Sequence, residues 1–261
     1  MKKTKIILLG CGSSLGVPRI DGYWGKVDKK NKKNYRTRCS LFIKYGDINI
    51  LIDTSPDIKN QLLNNKIKKI DFVVYTHDHA DQTHGINELR PFFWINKKKI
   101  PVYADKKTSY YLLNSFKYLF VKQSKYYKPI LKMNIINNNF FLKKNKKSIQ
   151  LETVKVKHGD INSNGYLFNK IAYISDCSSI SKKSLKKLMN LKLLIIDCLK
   201  FKSHATHLNF KKCLSYIKIL KPKKTILTNL HSDIEYSSFK KKLIKISKNI
   251  IPGYDGLKVT I

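Results

Sequence analysis

The chain has 261 residues, 42% of them hydrophobic and 27% charged, an ordinary balance for a globular protein with a sizeable core. No segment reaches the roughly 20 apolar residues of a membrane span, and the five cysteines (Cys11, Cys39, Cys177, Cys198, Cys213) are odd in number with no Cys-x-x-Cys pair. That excludes a helical membrane protein, a disulfide framework and a zinc knuckle, and points to a reducing cytoplasm.

Charge is less ordinary: 53 Lys and Arg face 17 Asp and Glu, a formal net charge of +36. Such a surplus draws phosphates and nucleic acids over long range. The lysines are spread along the whole chain, as at 97–99, 143–147 and 240–242, and Lys, Asn and Ile all have A/T-rich codons. Compositional drift and a selected nucleic-acid surface both account for the bias.

In chain order, the opening Met1-Lys2-Lys3-Thr4-Lys5 followed by Ile6-Ile7-Leu8-Leu9 superficially resembles a lipoprotein signal. Its apolar run falls short of the roughly 7–15 residues a signal needs, so a short buried strand entering a glycine turn is expected. Short β-branched runs predict strands at 5–9, 41–44, 48–52, 72–75, 101–103, 149–156, 166–168, 171–174, 193–197, 225–228 and 257–261. Helical spacing predicts helices at 57–64, 107–120, 182–189, 210–220 and 239–248. The segments 21–34 and 137–147 read as polar insertions, and no repeat or linker divides the chain. Strands alternating with helices throughout predict one layered α/β domain over 1–261.

The informative segment is Thr76-His77-Asp78-His79-Ala80-Asp81, where an apolar strand ends in two histidines two apart and then an aspartate. Imidazole and carboxylate suit Zn²⁺, Mn²⁺ or Fe²⁺. A lone His-x-His is weak, but His158 follows another apolar strand and Asp176 ends a third. Strand ends in a layered α/β fold gather along one rim, so these groups can converge there.

Thr76-His77-Asp78-His79-Ala80-Asp81, Lys157-His158-Gly159, Ser175-Asp176 and Tyr254-Asp255-Gly256 together resemble the metallo-β-lactamase superfamily. The run from Leu9 through Gly10, Gly12 and Gly16 to Pro18, with Leu51-Ile52-Asp53-Thr54 and Asp197-Cys198, is similar to one branch of it. That branch contains phosphoribosyl cyclic phosphate phosphodiesterase and ribonuclease Z. The resemblance implies a four-layer αβ/βα sandwich, two mixed β-sheets flanked by helices, with one or two divalent ions, Zn or Mn, at one rim. It makes His77, His79 and His158 ligands of a first metal, Asp176 a bridging carboxylate, and Asp81 a ligand of the second metal and a catalytic carboxylate. Two positions depart from the pattern: Gln82 and Asn229 stand where the family has histidines, both of the second site. Three readings follow. The second metal is lost; or the oxygens of Gln82 and Asn229 join Asp81 and Asp176 around a harder ion such as Mn²⁺; or His84 and His231 swing in to compensate.

The mechanism implied is attack of metal-bound hydroxide on phosphorus, with His207 protonating the leaving oxygen. Capping the following helix is the competing role for His207. Asp53 and Asp78 are expected to accept hydrogen bonds from ligand imidazoles or loop amides. The Gly10 to Gly16 segment either aims N–H groups at a phosphate or makes a tight turn. Arg36 and Arg38 bind either substrate phosphate or a buried carboxylate. No cysteine lies in 21–34, so the structural zinc loop of some cyclic phosphodiesterases is absent. The expected activity is hydrolysis of a small, cyclic phosphodiester, with a ribonuclease Z-like nuclease or a weakened phosphate- or nucleic-acid-binding member as alternatives. No membrane partner is expected.

Overall fold

The computed structural model describes residues 3–261; Met1 and Lys2, the start of the signal-like segment, lie outside them. Two seven-stranded sheets carry the chain. The first runs β14 (Leu257–Thr260), β1 (Thr4–Gly10), β2 (Ser40–Tyr45), β3 (Ile48–Ile52), β4 (Phe72–Val74), β5 (Ile100–Ala104), β6 (Leu131–Ile135). The second runs β13 (Ile250–Pro252), β12 (Thr225–Thr228), β11 (Leu193–Asp197), β10 (Ile171–Ile174), β9 (Ile161–Phe168), β8 (Lys147–His158), β7 (Asn139–Lys144). Each is mixed: β14-β1-β2-β3 is antiparallel and β3 to β6 parallel, while β13 to β10 is parallel and β10-β9-β8-β7 antiparallel.

Alternation decides what each face meets. Ile6, Leu8, Ile43 and Ile50 of the first sheet pack against Ile149, Leu151, Tyr166 and Ile195 of the second in a central core. The outer face of the first sheet buries Val73 and Val102 with α1 (Ile58–Asn64), α3 (Arg90–Asn96), α4 (Lys106–Ser115) and α5 (Lys117–Phe120). The outer face of the second buries Ile174, Leu194 and Ile196 with α6 (Lys182–Lys187), α7 (Phe210–Leu220) and α8 (Tyr236–Ile246). Each fully buried Leu or Ile contributes about 1.5–3 kcal/mol. The result is the expected four-layer sandwich. No helix among the described residues is long and apolar enough to cross a membrane.

Three expectations are corrected. The supposed insertion 137–147 contains β7, paired to β8 from Asn139↔Glu152 to Lys144↔Lys147. Only Leu142 of this strand is fully buried, so its lysines and Asn139 mask a sheet edge. Lys144 reaches across to the first sheet, where its Nζ lies 2.9 Å from Asp71, which also accepts from Asn49. The helix predicted over 107–120 breaks at Phe116 (φ −126°), separating α4 from α5. Helices α2 (Ala80–Thr83) and α3 and strands β6 and β13 have no counterpart among the predicted elements; α2 is a single turn.

Helix α8 starts three residues ahead of its apolar pattern because Glu235 caps it, accepting from the N–H groups of Ser237 and Ser238 at 2.9 and 2.6 Å. Burial works against ionisation here, but those donors and Asn34 hold the carboxyl down at about 2. A depressed acid stabilises the fold fully above its ordinary value near 4.5 and loses that contribution as pH falls toward about 2. Replacing Glu235 with alanine should therefore cost about 1 kcal/mol in chemical denaturation at pH 7. The difference from the parent chain should shrink through pH 4 to 3, being pH-independent if the carboxylate plays no part.

Candidate metal centre

The C-terminal ends of β3, β4, β8, β10, β11 and β12 line one rim, and there the chain places Asp53, His77, His158, Asp176, Asp197 and Asn229. The rings of His77, His79 and His158 converge with centroids 4.6, 5.2 and 5.1 Å apart, each offering a ligand nitrogen within 4.8 Å of the others. A second grouping shares His158 with Asp176 and His207. His79 is exposed; His77 is buried.

Hydrogen bonds decide which nitrogens are free. The Thr76 hydroxyl donates to Asp53 Oδ2 at 2.9 Å, so at 3.0 Å from His77 Nδ1 it accepts. His77 thus carries its proton on Nδ1 and leaves a lone pair on Nε2, a buried atom with no partner. His158 Nδ1 lies 2.7 Å from the Thr206 carbonyl, which only accepts, so its Nε2 lone pair is free as well. Burial lowers both pKa values, His77 to about 4, and keeps both rings neutral. Neutral imidazoles with one N–H tied to oxygen and the other nitrogen bare are what a divalent ion requires. The donor set fits such an ion.

The supports come from both sheets. Asp53, at φ +62° and fully buried, accepts from the Thr76 N–H at 2.8 Å as well as from its hydroxyl. From the second sheet, Asn164 N–H and the Tyr166 hydroxyl donate to the Thr76 and Tyr75 carbonyls at 3.0 and 2.5 Å. Gly159 follows His158 at φ +60°, and a Cβ there would lie 2.7 Å from Thr206 Cγ2, displacing the residue whose carbonyl orients that histidine. An Asp53→Asn substitution is expected to weaken metal affinity about 10- to 100-fold. Competition with a chromogenic chelator measures it, and unchanged affinity would remove Asp53 from the support.

His207 stands beside the cluster, its ring centroid 4.7 Å from that of His158. Its Nδ1 is 2.8 Å from Asp197 Oδ2, which also accepts the Cys177 N–H. Burial alone would lower His207, but the hydrogen bond it donates to the Asp197 carboxylate outweighs it and holds the imidazole up at about 9. The cap of α7 is Asn209, not His207. Asp197 was noted in the sequence without a role; an aspartate closing an apolar strand toward the same rim was the available signal. Beside His207 lies a polar cavity of about 250 Å³ lined by Ser178, Ser179, Ser203, His204, Asn209 and Lys212 among others.

Asp81 and Asp176 adjoin the cluster. Burial, and next to it the Asp176 charge, raise Asp81 to about 6. Burial also works to raise Asp176, but His77, His207 and His158 overcome it and leave Asp176 below the usual carboxylate range. Gln82 Nε2 donates to Asp81 Oδ2 at 3.1 Å and Asp176 Oδ2 at 3.3 Å. Asn229 Nδ2 donates to the Ser175 carbonyl at 2.9 Å and Asp176 Oδ1 at 3.1 Å. His84 and His231 do not compensate. His84 Nε2 meets the Tyr111 hydroxyl at 2.9 Å, and His231 Nδ1 faces Asp233.

The structure corrects the arginine assignment. Arg36 is 1% exposed, its two terminal nitrogens donating to the carbonyls of His231 and Ile234 and to Asn34 Oδ1, so it cannot meet a substrate phosphate. Arg38 takes the carboxylate alternative, its Nε 3.0 Å from Asp57. Asp78 pairs with Lys107 rather than with an imidazole. The glycine segment makes a tight turn: Cys11 N–H goes to Asp255, Gly12 N–H to Thr37 and Gly16 N–H to Ser13.

Fold and site together define a metallo-β-lactamase-type hydrolase: residues 48–229 match the Lactamase_B_2 family, the beta-lactamase superfamily domain, and the chain belongs to that superfamily. Within it, the chain is similar to a crystal structure described as a new diphosphatase from the PhnP family, with 32% identity, TM-score 0.87, and 99% and 97% of the two chains covered. The short form of human tRNase Z shares the fold at TM-score 0.70 and 14% identity, over 98% of each chain. A protein from Porphyromonas gingivalis (strain ATCC BAA-308 / W83) named octanoyltransferase is 28% identical over 98% of this chain. The chain spans about half the length of that curated relative, 51%.

Proposed function

We propose that the chain is a metal-dependent phosphodiesterase acting on a small, cyclic phosphate. The observation that carries this reading is the Asp197–His207 pair held beside the three bare-nitrogen imidazoles. His77, His79 and His158 would hold the ion, Zn²⁺ or Mn²⁺, with Asp176 alongside. When bound, such an ion acidifies water and neutralises charge on phosphoryl oxygens.

The chain's own groups supply the rest. His207 keeps a proton on Nε2 for the departing oxygen, because Asp197 fixes Nδ1–H and favours the charged ring. Asp81 has one oxygen engaged by Gln82, leaving Oδ1 to take a proton from water. The 250 Å³ cavity beside His207, with Lys212, His204 and three serines, suits an anionic group of small volume. The similarity to a PhnP-family diphosphatase supports a phosphoryl substrate. The octanoyltransferase name describes a relative of which this chain spans 51%, and it carries no argument about this site.

The net charge of +36 favours a second reading, an RNA nuclease. Steady-state assays of a ribose cyclic phosphate against a tRNA precursor distinguish the two. The proposal expects turnover of the cyclic phosphate to dominate in kcat/KM; preference for the RNA would replace it.

A further inference from the structure

The carboxylates of Asp81 and Asp176 are met by the side-chain amides of Gln82 and Asn229. Asn229 is fixed in orientation: its Nδ2 faces the Ser175 carbonyl at 2.9 Å, and a carbonyl accepts only. The same N–H₂ group therefore meets Asp176 Oδ1 at 3.1 Å with a donor. Turning the amide to offer Oδ1 would set oxygen against oxygen at both contacts. Gln82 Nε2 likewise stands between two carboxylates, at 3.1 Å from Asp81 Oδ2 and 3.3 Å from Asp176 Oδ2. Both oxygens of Asp176 and one of Asp81 are thus met by neutral N–H donors, which do the electrostatic work of a cation there.

The remaining imidazoles leave nothing for a second ion. Of the seven histidines, His77, His79 and His158 form the first cluster, and His207 faces Asp197. His84 bonds Tyr111, His231 faces Asp233, and His204 lies exposed beside Thr206. The grouping of His207 with His158 and Asp176 draws on the first cluster's own ligand, so one ion exhausts both groupings.

We infer that this chain is a one-ion member of its superfamily, in which the Gln82 and Asn229 carboxamides take the place of a second metal and hold Asp81 and Asp176 toward the first. This rests on the metal-dependent reading above and deepens it. It has a mechanistic consequence: with one ion, His207, held by Asp197, would be the chain's own counter-charge for the substrate's phosphoryl oxygens.

The test is stoichiometry. Chain stripped with chelator, saturated with Mn²⁺ and desalted is expected to retain about one ion, with the resolved hyperfine pattern of isolated Mn²⁺ in its electron paramagnetic resonance spectrum. About two ions with an exchange-broadened spectrum would overturn the inference and leave metal-dependent hydrolysis standing. No retained ion would overturn both readings. The double substitution Gln82→His with Asn229→His is expected to raise the count to about two. Asn229 sits at φ +61°, a conformation histidine also tolerates, so the backbone need not change. A folded double variant that still holds about one ion would show that the amides are not what excludes the second.

Discussion

Replacing His207 with alanine is expected to lower kcat on a ribose cyclic phosphate by about 10²- to 10⁴-fold, the usual worth of a positioned proton donor. The departing group there is an alkoxide that needs a proton. A p-nitrophenolate leaving group needs none, so turnover of bis(p-nitrophenyl) phosphate should fall by less than about tenfold. The contrast between the two substrates separates proton donation from a general loss of site structure. Equal losses on both would assign His207 a structural role. Asp197→Asn should reproduce the contrast in weaker form, because it removes the negative charge 2.8 Å from Nδ1 that sustains the raised pKa.

The second large effect is on His77. Its Nε2 is buried and unpaired, so His77→Ala removes a polar atom that the metal-free fold leaves unsatisfied. The metal-free variant should unfold close to the parent. The difference appears when metal is added: an ion present at a hundredfold excess over its Kd stabilises the parent by about 2.7 kcal/mol. That gain should vanish in the variant, along with detectable turnover, since the loss of a ligand exceeds the roughly 10- to 100-fold cost of losing an outer partner. Thermal unfolding with and without Zn²⁺ or Mn²⁺ measures it. A variant still stabilised as strongly as the parent would place the ion elsewhere.

Much of the fold was legible in the residues. Runs such as Ile48–Ile52, Ile171–Ile174, Leu193–Asp197 and Thr225–Thr228 are strands residue for residue as predicted, because they are apolar, β-branched and bounded by turn residues. Helix α7 matches its prediction for the corresponding reason of period. The edge strand β7 was illegible because an exposed edge needs polar side chains and so imitates a loop. The break at Phe116 lies in a backbone turn that apolar spacing does not report.

The site divides the same way. That His77, His79, His158 and Asp176 would meet followed from their common place at strand ends. What they do to one another did not. The tautomers of His77 and His158 are set by Thr76, Asp53 and a backbone carbonyl from Thr206, 48 residues away from His158. Arg36 carried no sequence signal that its fork would close on main-chain carbonyls. Gln82 and Asn229 were visible as departures, yet which end of each amide faces the carboxylates depends on Ser175 and Asp81.

The central claim is that three bare imidazole nitrogens hold a divalent ion on which phosphodiester hydrolysis depends. It is tested most directly by hydrolysis of bis(p-nitrophenyl) phosphate and a ribose cyclic phosphate by chain stripped with chelator and refilled with Zn²⁺ or Mn²⁺. The account predicts no turnover when stripped, and recovery on refilling in step with the ion bound at this site. Turnover that survives complete stripping, or folded and metal-loaded chain that cleaves neither ester, would contradict it.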